Sequence, residues 1–562
     1  NKKVVLLTQT FASPTTESII NNFLKKYSNV DHIIYDSISN SKALDAFEIS
    51  YGVRALPTYD FEKANVIVSF SADFLGDWQG GGFSKGYAKT RVPKNGKMSK
   101  HYQIEANMSL SGANADTRIP LKPSLQKKAL LRIYDLVSGQ NSGVKLDDNI
   151  EVKLKSISDS LLNSNGKGIF ITGIDDVGAQ LISLKINQLI KSKVINVQKL
   201  NYTSQGDDQK VFDLVEDVLN KKINGLIMVG VNPSYTLPNS EQFNEALKSV
   251  DLSVSFSMNN TETAKLSKWV AATPHYLESW GDVEMKSGNY SLVQPTIKPL
   301  FDTLQFQDVL LNWLGSSNSF YDELKSNWNV SILKGSSWNQ ALHDGVYYNN
   351  YSSKKFSSPY TFPNINNYID SLKSSESDGF ELTLYSKTSM GNGLQANNPW
   401  LQEMPDPITR VSWDNYLTVS KSDAKNLGLK NINDSNGALN SNFANVSING
   451  KSLKVPVVIQ PGQARGSVGF SLGYGRTSGV KNELQTGVNA YKFYNNFVNV
   501  QNVSLESVNE THEFACVQLH NTLMGRGDII KETTLEIFNT KKSSEWNYMT
   551  QVSLNHIETP VT

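Results

Sequence analysis

The sequence predicts an α/β protein: parallel βα lobes followed by a C-terminal, mostly β domain. Three observations carry this. Short apolar runs alternate with amphipathic helical stretches from the start to about Leu314, which implies parallel sheets covered by helices. One run, Leu226 to Val231, stops at Gly230-Val231-Asn232-Pro233, the pattern of a buried strand feeding a tight turn. From Met404 the pattern changes to alternating strands with dense glycine.

Taken in order, Val4-Leu7 is a short buried strand. Thr15-Thr16-Glu17 opens a helix with Ile19, Ile20, Phe23 and Leu24 on one face. His32-Tyr35 is a second strand, and Lys42 to Tyr51 a helix ended by Gly52. Val66-Phe70 is a buried strand with a loop, Ser71 to Trp78, behind it. Gly80-Gly81-Gly82 reads as an exposed loop, and no GxGxxG or Walker sequence marks a nucleotide site. Tyr102-Ala106 is another strand, and Pro123 and Ser124 start an amphipathic helix through Leu136. Gly166-Lys167-Gly168 opens a strand, turn and helix. Val194-Val197, Leu226-Val231, Leu252-Phe256 and Trp269-Ala272 continue the pattern.

Residues 316 to 400 are rich in Ser, Asn and aromatics and read as long loops, with one strand at Phe380-Tyr385. Ile408-Val419 reads as a strand, followed by a short helix capped by Ser420 or Ser422. Strands follow at Phe443-Ile448 and Leu453-Ile459. Glycines 462, 466, 469, 473, 475 and 479 serve tight turns or let backbone approach a neighbour closely. The expected division is 1–160 and 161–400 for two α/β lobes and 401–562 for the β domain; at about 150 residues per domain, three fit the length.

Composition excludes several functions. The formal net charge of +1 gives no electrostatic case for nucleic acid or anionic lipid. No apolar run approaches the ~20 residues of a membrane helix. The apolar core of the opening segment, Val4 to Leu7, is too short for a signal peptide. A start on Asn1 reads as a processed product or part of a longer chain. Cys516 is the single cysteine, so no disulfide or cysteine-ligated cluster can form within these residues. His512-Glu513-Phe514-Ala515-Cys516 misses the zinc-protease pattern by its last residue and reads as strand. On a straight strand His512, Cys516 and His520 would stand ~13 Å apart in sequence, too far to share a metal. No GxSxG accompanies the serines. His275, Glu278, Trp280 and Asp282 fall within eight residues. Acid–base work is one reading of them; a turn and helix start whose side chains cap the loop is the favoured one.

Several long motifs resemble the molybdopterin-guanine-dinucleotide oxidoreductases: VGVNPSYTLP, DFEKANVIVSFSADF, ANADTRIPLKPSLQKKAL, DAKNLGL and PGQARGSVGFSLGYGR. HYQIEANMSLSGANADTRIPLKPS, PHYLESWGD, QPTIKPLFDT, LQEMPDPITRVSWDN and PGQARGSVGFSLGYGRT resemble one branch more closely, the large iron–sulfur subunit of bacterial alternative complex III. The resemblance spans about Tyr51 to Arg526. It implies a molybdopterin-oxidoreductase-like fold with a C-terminal β-barrel-like domain. It implies a portion without cofactor, followed in the same subunit by a part bearing iron–sulfur clusters. It also implies a place on the periplasmic face of the inner membrane, held by a multiheme cytochrome c and quinol-oxidising membrane subunits, with a terminal oxidase as a further partner. Where the family has Asn-Pro in its first pterin loop, this chain has Ser71 to Phe74, and its lobes carry no cysteine. Ser71, Asp73, Gly230, Asn232, Pro233, His275, Glu278 and Trp280 are therefore expected to form a vestigial pterin-pocket frame, packed shut or empty. An active molybdenum-pterin oxidoreductase is the alternative, and a different small ligand or lipid in the old pocket a third reading.

Overall fold

The computed structural model describes residues 2–93, 96–349, 362–373, 379–434, 438–517, 530–548, 551–554 and 557–560. Two parallel sheets form the lobes. In the first, Trp269–Ala272, Leu252–Ser257, Gly225–Val229, Val4–Thr8 and Val30–Ile34 lie side by side in that order. In the second the order is Thr117–Pro120, Lys100–Glu105, Val66–Phe70, Gly168–Thr172. Both central strands are buried on both faces, which is why they read as unbroken apolar runs.

Sheet membership does not follow consecutive blocks of sequence. The first sheet takes its strands from both sides of the second, so the chain leaves the first lobe after Val30–Ile34, where Ser41–Tyr51 already packs on Val177–Leu189, and returns to it at Asp208–Leu219. Phe380–Tyr385 belongs to the β domain, where it pairs with Ser467–Ser471 and Val500–Phe514. That domain is a six-stranded barrel ordered Leu439–Ile448, Lys451–Ile459, Leu417–Val419, Ser467–Ser471, Phe380–Tyr385, Val500–Phe514, closed by pairing of the last with the first. Closure leaves no free edge among the six.

Local chemistry sets the element ends. Ser13 caps the helix Pro14–Lys26 by accepting from the Thr16 N–H, one residue before the proline, so the helix starts earlier than Thr15. Gly52 ends Ser41–Tyr51 in the left-handed conformation. Asp176 caps Val177–Leu189.

Three expectations change. Ile195–Asn201 runs antiparallel to Leu56–Tyr59 in a third sheet; its mixed burial is that of a partly solvated strand rather than a buried parallel one. Of Ile408-Val419, only Leu417–Val419 is strand, because Asp406 turns the chain by accepting from the Ile408 and Thr409 N–H groups. Residues 316–344 are largely helical: Ser319 and Asp322 form a capping box on the first turn of Phe320–Asn327, and Trp328 and Trp338 fill a small core. The strand containing His512 ends at Phe514; Cys516 makes an isolated bridge to Val411, and His520 lies outside the described residues.

The cores tie the parts together. One apolar cluster runs from Val5, Leu7 and Met228 of the first sheet to Leu382, Val457 and Phe470 of the barrel. A second packs Val68, Ile104 and Phe170 under the helices Pro123–Ser138, Asp148–Leu162 and Val177–Leu189. No helix among the described residues is long and apolar enough to cross a membrane.

Candidate functional site

The carboxyl ends of the second sheet's strands open into a cavity of about 500 Å3. Ser71, Asn107 and Gly173–Asp175 line it from the lobe; Glu381, Thr383 to Thr388 and Asp406 to Thr409 line it from the barrel. Open α/β sheets place ligands at such an edge. A smaller pocket of about 230 Å3 lies at the equivalent edge of the first sheet, lined by Gln9, Tyr35, Gly230, Asn232, Asn392 and Arg476 among others. Ile38 and Asn40 line both.

The eight residues singled out from sequence fall into three places. Ser71 and Asp73 line the large cavity. Ser71 sits at positive φ, 51°, and its hydroxyl donates to Gln126 Oε1 at 2.5 Å. Asp73 accepts from the N–H and the hydroxyl of Ser111 at 2.8 and 2.7 Å. Burial pushes its carboxyl above the usual range, against those two hydrogen bonds.

Gly230 and Asn232 line the smaller pocket, and Pro233 opens the buried turn Pro233–Thr236 behind them. Gly230 has φ 66°, and a Cβ there would meet Gln9 Cδ at 2.8 Å. Asn232 spends most of its hydrogen-bonding capacity within the chain. Its Oδ1 accepts from the Thr263 N–H and hydroxyl at 3.0 and 2.7 Å, and its Nδ2 donates to Glu262 Oε2 at 2.7 Å. Glu262 also accepts from Arg476 Nε at 3.1 Å and from the N–H groups of Thr477 and Ser478. Arg476 donates to the Gly393 carbonyl and stacks over Tyr235 at 4.9 Å. The Gly-x-Asn-Pro turn is thereby bolted to the glycine segment of the barrel.

His275, Glu278 and Trp280 line neither pocket. His275 caps the turn Tyr276–Glu278 through Nδ1, and Glu278 closes a capping box on the His275 N–H at 2.8 Å. That bond and a second from the Leu300 N–H hold the exposed Glu278 carboxyl below its ordinary range. Trp280 packs against Tyr321. Asp282, buried, accepts from Ser13, Thr15 and Trp328 Nε1 and ties helix Pro14–Lys26 to the strand Gly281–Lys286. The cluster is a set of caps and ties.

Sequence reasoning passed over several residues of the large cavity. Asp175, half-buried, accepts from the Asn499 N–H at 3.0 Å, and burial pushes its carboxyl up to about 7. It follows an apolar run ending in Gly173, the same signal that marked Gly230. Lys387 is 3% exposed; burial lowers its ammonium to about 8. It donates to the Asp414 carbonyl at 2.6 Å, with the Tyr416 ring 4.1 Å away. Nothing local in the sequence distinguishes it from a solvated lysine. Glu105 and Glu381 are buried and held by Arg118 and by Ser124.

The fold is that of the molybdopterin oxidoreductases. Acetylene hydratase from Pelobacter acetylenicus is one solved structure it resembles, with a TM-score of 0.64 over 90% of this chain and 86% of that one. At 11% identity the likeness is one of fold. No family model and no curated protein matches the sequence.

Proposed function

We propose that this chain is the cofactor-less, molybdopterin-oxidoreductase-like portion of the iron–sulfur subunit of a quinol-oxidising respiratory assembly, alternative complex III. It scaffolds electron transfer from quinol to cytochrome c or a terminal oxidase, and takes no part in the chemistry. The cluster-bearing part of the subunit follows it, and membrane subunits hold it on the periplasmic face. The resemblance of the long motifs to that subunit supports the reading, together with one observation on the large cavity.

That observation is charge. A pterin dinucleotide carries a pyrophosphate, and a fold that takes two must balance several phosphate charges with Arg, Lys or backbone N–H donors. The cavity presents six carboxylate side chains, Asp73, Asp77, Glu105, Asp175, Glu381 and Asp406, against two lysines. Lys127 is paired with Asp176 at 3.1 Å, and Lys387 is turned onto a carbonyl and two tyrosine rings. In the smaller pocket Arg476 is consumed by Glu262. The residues present do not fit two anionic dinucleotides. Metal and pterin analysis of the purified native assembly tests the reading. Molybdenum or tungsten in stoichiometric amount would return the chain to the active oxidoreductases; co-purification with a multiheme cytochrome and without either metal is the expected result.

A further inference from the structure

We infer that the large cavity is a binding site for an extended organic polycation, an aliphatic polyamine by class, rather than for an anion or a metal ion. The inference rests on the cofactor-less reading above, since a resident dinucleotide would fill the same space.

The argument starts from space. About 500 Å3 is within the range of ordinary small-molecule sites, roughly 300–1,000 Å3. The lining then selects the charge. Among the described residues, Asp73, Asp77, Asp175 and Asp406 have no Lys, Arg or His within ion-pairing distance, although all four line the cavity. Glu105 and Glu381 are already matched by Arg118 and Lys122. A cavity with unmatched carboxylates favours a cation and disfavours an anion.

Spacing selects the shape. Asp73 and Asp77 stand on the loop after Val66–Phe70, Asp175 on the loop after Gly168–Thr172, and Asp406 on the barrel side. No three acidic, histidine or cysteine side chains among the described residues converge closely enough to hold a metal ion. Dispersed carboxylates suit a ligand whose charges are dispersed along a chain, as ammonium groups are along a polyamine.

Polar atoms without partners point the same way. Gln79 is 4% exposed and lines both the cavity and a narrow pocket beside Tyr59, to which its side chain is hydrogen-bonded; its Oε1 has no hydrogen-bond partner. It is held at φ 49°, a conformation a non-glycine residue keeps only where the surroundings impose it. Thr383 Oγ1, on the barrel wall, is likewise unmatched. An amide oxygen left bare beside a cavity is an acceptor for an ammonium N–H. Trp78 and Tyr385 line the same space and offer aromatic faces to methylenes and cations.

Calorimetric titration of the purified protein with spermidine, putrescine, magnesium, guanosine diphosphate and glycerol tests this. Spermidine is expected to bind most tightly, putrescine at least tenfold more weakly, and the other three without saturation below millimolar concentration. The chain's net charge of +1 leaves little general attraction for polycations, so saturable binding reports the cavity. Asp77→Asn and Asp175→Asn each keep an acceptor oxygen and are expected to weaken spermidine at least tenfold. Guanosine diphosphate or magnesium binding as tightly as spermidine would overturn the inference. So would no spermidine binding at millimolar concentration, or affinities unchanged in both variants. The ranking of probes on the unmodified protein decides the matter even where a variant does not fold. Metal analysis of the same sample separates the two failures: molybdenum present defeats the cofactor-less reading, while its absence with no spermidine binding defeats this inference alone.

Discussion

Glu262→Ala tests the bolt between the first lobe and the barrel. The side chains of Arg476 and Glu262 are 6% and 11% exposed, with Arg476 Nη2 at 3.0 Å from Glu262 Oε2. Removing the carboxylate strands a buried guanidinium and leaves Asn232 Nδ2 and the N–H groups of Thr477 and Ser478 without acceptors. Breaking a buried pair on one side costs about 3–5 kcal/mol. Arg476 keeps the Gly393 and Ser478 carbonyls and the Tyr235 ring, so the lower end, about 3 kcal/mol, is expected here. A chain with several cores does not unfold in one step, so the cost should be read locally by hydrogen exchange. Protection of Gly225–Val229 and Ser467–Ser471 should fall by about two orders of magnitude, at 1.4 kcal/mol per tenfold. The paired replacement Glu262→Leu with Arg476→Met should cost less than Glu262→Ala alone, because no charge is left buried. Burial opposes ionisation of Glu262, yet the Arg476 hydrogen bond and charge hold its pKa below the ordinary glutamate value. Its contribution is therefore fully present above that ordinary value and is lost as pH falls through the folded pKa, where the native protein and Glu262→Gln should converge. A loss of protection smaller than tenfold in Glu262→Ala would refute the account.

Three other perturbations follow from the geometry. Asp175 has a folded pKa of about 7 against an unfolded value near 3.8, so folding retains a proton that the unfolded chain loses and stability falls as pH rises from about 4 to 7. Three pKa units correspond to about 4 kcal/mol, reduced to about 2 for solvent reaching the cavity; amide protection of Gly168–Thr172 in Asp175→Asn should exceed that of the native protein by more than about tenfold at pH 7.5 and match it at pH 4, and parallel pH profiles would count against this. At Gly475, φ is 70° and a Cβ would lie 2.2 Å from the Asn489 backbone nitrogen, so Gly475→Ala should destabilise the barrel by more than the ~1 kcal/mol of left-handed strain alone, measured as loss of its melting transition or of soluble yield. Asp282→Ala removes the acceptor of Ser13, Thr15 and Trp328 Nε1 at about 1–3 kcal/mol per stranded group, and faster proteolysis within Pro14–Lys26 should report it; cleavage unchanged from the native protein would show the tie to be dispensable.

What the sequence reveals follows physical range. Strands such as Val66–Phe70, Gly225–Val229 and Phe380–Tyr385 are legible because burial demands apolar runs at their own positions. The helix end at Gly52 is legible because a left-handed cap needs glycine locally; the same caps at Gly139 and Gly315 go unread. The interleaving of the two lobes is not legible, since pairing of Val4–Thr8 with Gly225–Val229 is a choice between many apolar strands of similar character. Ile408-Val419 misleads because its apolar content suits a strand, while the Asp406 side chain turns the backbone instead.

The candidate site divides along the same line. The Gly-x-Asn-Pro turn marks the end of a parallel strand correctly, but a turn motif does not say whether its side chains face a ligand or the protein. In Asn232 both acceptor positions and one of the two amide N–H groups are spent within the chain, on Thr263 and Glu262. A binding residue must keep some hydrogen-bonding or charge capacity unspent. By that criterion the weight of the site moves from Gly230 and His275 to the cavity lining at Asp175 and Gln79. Among the described residues no cation pairs with the Asp175 carboxylate and no donor reaches Gln79 Oε1, a property of the assembled fold that no single stretch of the chain encodes.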